Sequence, residues 1–137
     1  MTPLLILTHG EFGPVLLKAA ESMFGPQSDA VALGLAADET REDFQAKVHA
    51  ARTQLPSEPL VLVDLACGTP WNVAVLDGCA DAGEVLAGLN LPMLLESLEL
   101  RQDMDPKALA KELKARASQG FVQASQLIAE RGNGGCA

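Results

Sequence analysis

Short, uninterrupted apolar runs alternate along this chain with stretches whose apolar residues recur at helical spacing. That alternation limits the possible folds more than any other feature. The runs are Leu4-Leu5-Ile6-Leu7, Ala30 to Leu35 and Leu60-Val61-Leu62-Val63, and Glu84 to Leu89 reads as a fourth strand. A strand covered on both faces needs no polar alternation, so such runs are expected in a parallel sheet with helices above and below it. The first run stops at Thr8-His9-Gly10. Val15, Leu16, Ala19, Ala20 and Met23 then mark a helix closed by Gly25-Pro26. Thr40 is an N-cap for a second helix, whose stripe is Phe44, Val48, Ala51 and Leu55 and whose end is Pro56. Pro70 suits a helix entrance near Trp71-Asn72, and Met93 to Leu100 is helical in pattern. Asp105-Pro106 is a cap followed by a first-turn proline, ahead of Leu109 and Leu113. The stretch from Phe121 to Ile128 fits either a helix or a short strand. The expected architecture is α/β, with helices on both faces of an open, mostly parallel sheet. It forms a single domain over residues 1–131, followed by a flexible tail over 132–137.

Bulk properties remove whole classes of function. The chain has 137 residues, a single-domain length, and its 48% hydrophobic content with only 20% charged residues argues for a packed core. A net charge of −8 is the wrong sign for nucleic acid or an anionic membrane surface. No run approaches the ~20 apolar residues of a membrane-spanning helix. The opening MTPLLILTHG lacks a basic segment before its apolar stretch, so no signal peptide is expected and a cytoplasmic location is. The three cysteines, Cys67, Cys79 and Cys136, are widely spaced and include no CxxC pair, which predicts reduced thiols. With two histidines, His9 and His49, a histidine-rich metal cage is not expected, and neither is a cofactor.

In open α/β sheets, ligands bind beyond the carboxyl ends of the strands, where strand order reverses. A flavodoxin-like order, 2-1-3-4, sets strands 1 and 3 side by side at that point. This order is taken by analogy, since the sequence does not contain it. The first strand ends at His9 and the third at Asp64. A carboxylate that accepts a hydrogen bond from one imidazole nitrogen fixes the tautomer and frees the other nitrogen to attack phosphorus. Backbone N–H groups, a hydroxyl and a helix N-terminus would receive the phosphate. Gly68 and Thr69 ahead of the Trp71 helix are candidates, and so is Gly10 leading into the first helix. Singly, each is also an ordinary residue: a loop histidine, a turn aspartate, a Gly-Thr-Pro turn.

Taken in order, these segments resemble a known family. Leu7-Thr8-His9-Gly10 is similar to the phosphohistidine motif of mannose-family enzyme IIA domains of the sugar phosphotransferase system. Val63-Asp64 with Gly68-Thr69-Pro70-Trp71-Asn72 resembles that family's second block, and Gly88-Leu89-Asn90-Leu91-Pro92-Met93-Leu94 with Glu96 its third. The resemblance implies a phosphotransferase component that accepts a phosphoryl group from phospho-HPr on His9. The group then passes to a histidine of enzyme IIB during sugar uptake. Asp64 matches the histidine-pairing carboxylate, and Thr69 the hydroxyl position. Enzyme IIB would be a separate protein, and the membrane is met only through the transporter complex. The resemblance also implies a homodimer with a C-terminal strand exchanged between subunits, for which Phe121–Ile128 is the candidate antiparallel edge strand. Two positions depart from the pattern. Cys67 replaces a usual second glycine, where a positive φ would be strained, and Ala66 replaces a bulkier residue.

Rival chemistries fit less well. A cysteine phosphatase built on Cys67 needs C-x5-R, and Val73 holds the arginine position. A receiver domain phosphorylated on Asp64 needs an acidic pair after the first strand, where Thr8-His9 stands. A dinucleotide site needs G-x-G-x-x-G, which is absent. A branch serving dihydroxyacetone kinase fits the second and third blocks less well than the sugar branch. A regulatory phosphohistidine module that controls another protein, rather than feeding a transporter, uses the same residues and stays open. Cys79 is expected to pack against a helix, and His49 and the scattered acids to face solvent. Trp71 is either a partner-facing anchor or a plug between helix and sheet.

Overall fold

Leu4, Leu5, Ile6 and Leu7 are completely buried, and this single run organises the molecule. In the computed structural model, which describes residues 1–132, they form strand β1 (Leu4–His9) at the middle of a four-stranded parallel sheet. The other strands are β2 (Ala30–Leu35), β3 (Leu60–Val63) and β4 (Glu84–Ala87), in the order β2-β1-β3-β4. This is the flavodoxin-like order expected. Parallel register sets His9 beside Leu35, Leu7 beside Val63 and Val63 beside Ala87. The carboxyl ends of β1 and β3 therefore lie together.

Helices α1 (Phe12–Phe24), α2 (Arg41–Gln54), α3 (Thr69–Leu76), α4 (Leu91–Leu100) and α5 (Pro106–Arg116) cover the two faces. Alternation along β1 divides the core. Leu4 and Ile6 meet α1, α4 and α5 through Leu17, Leu94 and Leu109. Leu5 and Leu7 meet α2 and α3 through Phe44, Val48 and Val73. The Thr40 and Asp105 caps follow the sequence, and Asn90 adds a cap that starts α4 two residues before the expected Met93. Thr40 accepts from the Asp43 N–H at 3.1 Å, Asn90 from Met93 at 2.9 Å, and Asp105 from Ala108 at 2.8 Å.

Four expectations need correction or completion. The buried face of α1 is Gly13, Leu17 and Ala20, while Val15 and Met23 are exposed. Lys18, Glu21 and Ser22 mark the polar side of that helix, but its apolar arc is wider than the face the sheet covers, so Val15 and Met23 fall outside the contact. The fourth strand stops at Ala87, because Gly88 turns to φ +96° ahead of the α4 cap. The ambiguous Phe121–Ile128 stretch divides: after a short 3₁₀ turn (Ala117–Gly120), residues 121–123 form an irregular connection, α6 spans Ala124–Arg131, and no fifth strand occurs among the described residues. Of the expected tail, Gly132 caps α6 with φ +72°, and residues 133–137 lie outside the described residues. No helix among the described residues is long and apolar enough to cross a membrane.

Arg101, which the sequence reading passed over, is 1% exposed at the end of α4. Its guanidinium donates to Ser28 O at 2.8 Å, Gln27 Oε1 at 3.1 Å and Asp29 O at 3.2 Å, stapling the loop before β2.

Candidate functional site

The predicted partners meet. His9 closes β1, Asp64 follows β3, and the Asp64 Oδ2 atom accepts both the His9 backbone N–H and the His9 Nδ1–H, each at 2.9 Å. A carboxylate accepts, so Nδ1 is the donor of this bond, and in the neutral ring the lone pair lies on Nε2. The double contact fixes ring and main chain together. Asp64 is largely shielded (16% side-chain exposure) while the imidazole is open to solvent (48%). The acid is thus shielded, and the Nε2 edge of the ring remains accessible.

The loop after Asp64 folds over that edge. A Cβ placed on Gly68 would lie 2.9 Å from His9 Cε1 and 3.4 Å from Nε2, so only glycine allows this approach. Gly68 is also the N-cap residue of α3, in extended conformation, with its carbonyl accepting from Asn72 at 2.9 Å. The start of α3, with the positive end of its dipole, therefore lies at the Nε2 edge of His9. Thr69 is the first residue of that helix, and Pro70 lacks an N–H and so leaves no donor to satisfy.

Gly10 has φ +54°, and its N–H donates to Leu35 O at 2.7 Å. That donor is committed to the neighbouring strand end, so Gly10 serves this site through its turn. Gly34, which the sequence reading missed, makes the contact possible: a Cβ there would fall 1.9 Å from Gly10 O. A glycine inside an apolar strand is the signal that would have found it.

Cys67 adopts the positive φ anticipated for it, +65°, and is exposed; its carbonyl accepts from Asn72 Nδ2 at 3.3 Å. Val73, which takes the arginine position of a cysteine phosphatase, is fully buried. Among the described residues, no cluster of three His, Cys, Asp or Glu is arranged to hold a metal. Trp71 packs, partly buried, against the α2–α3 side of the core, as a plug would.

His49 is exposed as expected, at 63%, but it is also paired: Nδ1 lies 2.9 Å from Asp77 Oδ1. Asp77 caps the C-terminus of α3, where Arg52 also bonds its carbonyl and that of Gly78. The two His–Asp pairs thus sit at opposite ends of one helix. Burial works against the Arg52 charge, but hydrogen bonds to Glu58 and Asp77 outweigh it and raise its pKa above the ordinary guanidinium value. Cys79 beside them is fully buried, and burial pushes its thiol up to about 11.

Residues 3–114 match the family described as PTS system fructose IIA component. The chain is 37% identical over 130 residues to the fructose-specific EIIA component of Bacillus subtilis, covering 92% of this chain and 88% of that one. It is also 37% identical over 108 residues to the mannose-specific EIIAB component of Escherichia coli K12, covering 75% of this chain and 32% of the longer protein. A crystal structure of EIIA from Streptococcus agalactiae superposes with a TM-score of 0.83 at 29% identity, covering 92% of this chain and 99% of that one. The ordered motifs, the β2-β1-β3-β4 sheet and these relatives agree: the chain belongs to the mannose/fructose-type enzyme IIA family, phosphotransferase components of the sugar phosphotransferase system.

Proposed function

We propose that His9 Nε2 accepts a phosphoryl group from phospho-HPr and passes it to a histidine of a separate enzyme IIB in the cytoplasm. The observation that carries this reading is the His9 Nδ1–Asp64 Oδ2 bond of 2.9 Å, with the α3 cap residue against the opposite ring edge. In transfer, the donor's P–N bond breaks as the His9 Nε2–P bond forms. Asp64 holds Nδ1–H and offsets the positive charge growing on the ring. Thr69 and the N–H groups at the head of α3 receive the phosphoryl oxygens, Gly68 admits them by having no side chain, and Gly10 shapes the turn. The exposed apolar side chains of Phe12, Val15 and Leu65, close in sequence to His9 and Asp64, suit docking by another protein better than a small phosphate donor. A homodimer extends the reading: β4 leaves an open sheet edge, and Phe121 and Val122 are strongly exposed apolar residues.

Incubation with phosphoenolpyruvate, enzyme I and HPr should place one acid-labile, base-stable phosphate on the chain. His9→Ala should abolish labelling and His49→Ala should leave it intact; undiminished labelling of His9→Ala would overturn the proposal. Asp64→Asn should slow transfer about a hundredfold while the fold persists, and an unchanged rate would remove Asp64 from the mechanism. Passage of the label to an enzyme IIB separates transport from a purely regulatory role.

A further inference from the structure

We propose that Thr8 is a positioning residue for transfer at His9: its buried hydroxyl ties the head of α1 to the end of β1 and so sets the His9 main chain. The inference rests on the reading of His9 as phosphoacceptor. The first N–H groups of a helix have no partners within it and are usually met by the N-cap side chain. Glu11, the N-cap of α1, makes no such bond. The Gly13 N–H instead donates to Thr8 Oγ1 at 2.7 Å, a bond reaching back across the turn into the strand.

The surroundings are shaped to this contact. Thr8 is fully buried, and its Oγ1 also lies 3.5 Å from Gly10 O. A Cβ on Gly13 would fall 2.9 Å from Thr8 Oγ1 and 3.0 Å from Ile6 Cγ2, so helix and strand meet this closely only with glycine there. Strand alternation turns Thr8 to the α1 face, with Leu4 and Ile6, and His9 to the α3 face. Asp64 holds the His9 N–H from one side. The Gly10 N–H is held by Leu35 O at 2.7 Å. Thr8 supplies the remaining anchor, on the opposite face. A valine has nearly the same shape but would leave the buried Gly13 N–H without an acceptor. The turn would then relax, and the imidazole would shift against the head of α3.

The test is the rate of phosphoryl transfer from phospho-HPr to the full chain carrying Thr8→Val, Thr8→Ser or His9→Ala. Thr8→Val should lower the maximal rate about tenfold, because transfer is sensitive to small misplacements of the attacking atom. The half-saturating donor concentration should stay within about twofold, and Thr8→Ser should recover the rate to within about twofold. The His9 imidazole ¹⁵N resonances should move in Thr8→Val and return in Thr8→Ser. A wild-type rate in Thr8→Val, or equal losses in the two variants, overturns the proposal. If Thr8→Val does not fold, hydrogen exchange at the Gly13 amide of the unaltered chain decides. Protection supports the bond, and exchange at the rate of an unbonded first-turn amide overturns it. His9→Ala keeps the two readings distinguishable. Transfer that survives it removes His9 and Thr8 alike, whereas transfer lost in His9→Ala but normal in Thr8→Val removes Thr8 alone.

Discussion

Cys67 holds a backbone conformation that disfavours every residue with a Cβ, and it does so in the loop that covers the His9 ring. A non-glycine residue in the left-handed region stores about 1 kcal/mol of strain relative to glycine. Cys67→Gly should therefore raise unfolding stability by up to about 1 kcal/mol, less whatever the glycine adds to unfolded-chain entropy; denaturant titration measures it. The second thiol behaves differently. Cys79 is buried, with its thiol pushed up to about 11 from 9.0. A group that ionises to an anion and has a raised folded pKa stabilises the fold fully below the unfolded value, and that stability is lost as pH rises from 9.0 towards about 11. Cys79→Ala should accordingly lose less melting temperature between pH 8 and pH 11 than the parent chain. At pH 8, iodoacetamide should modify Cys67 in the folded protein and spare Cys79.

At the scale of elements, α3 explains why two similar His–Asp pairs have different prospects. His9 lies at the N-terminal end of that helix, where an arriving anion is favoured; His49 lies at the C-terminal end, among carbonyls and the Asp77 carboxylate, where it is not. Arg52 links α2 to this C-terminus through Asp77 and Gly78, and its own end is held by Glu58 at 2.9 Å. Arg52→Met should lower stability by about 1–3 kcal/mol, since partly buried carbonyls lose their donor. Labelling at His9 should be unaffected, because the substitution lies at the far end of α3. Much of this scale was legible in the sequence: the Thr40 and Asp105 caps act within a few residues of the groups they satisfy. The buried face of α1 was legible only in part: Lys18, Glu21 and Ser22 mark its polar side, but the apolar remainder is wider than the face the sheet covers.

At the scale of the whole molecule, a long-range polar clamp at Arg101 supplements the two apolar layers. Arg101 reaches from the end of α4 to the loop joining α1 and β2, and burial lowers its pKa below the ordinary guanidinium value. Arg101→Ala should destabilise the fold by about 3 kcal/mol, through the cavity and the carbonyls left without a donor, and thermal or chemical denaturation would show it. No local pattern marks this residue; in sequence it is one more arginine after a helix. The sequence by itself determined the element types up to Arg116, the parallel sheet, His9 and Asp64 as strand-end residues and the family, because each is written in local periodicity or in ordered short motifs. Only the tertiary structure decided that Asp64 grips the His9 ring and main chain together, that Gly34 and Gly13 clear space for β1 to turn into α1, and that the chain from Ala124 to Arg131 becomes helix rather than an edge strand. These depend on distances between segments far apart in the chain, which local periodicity does not encode.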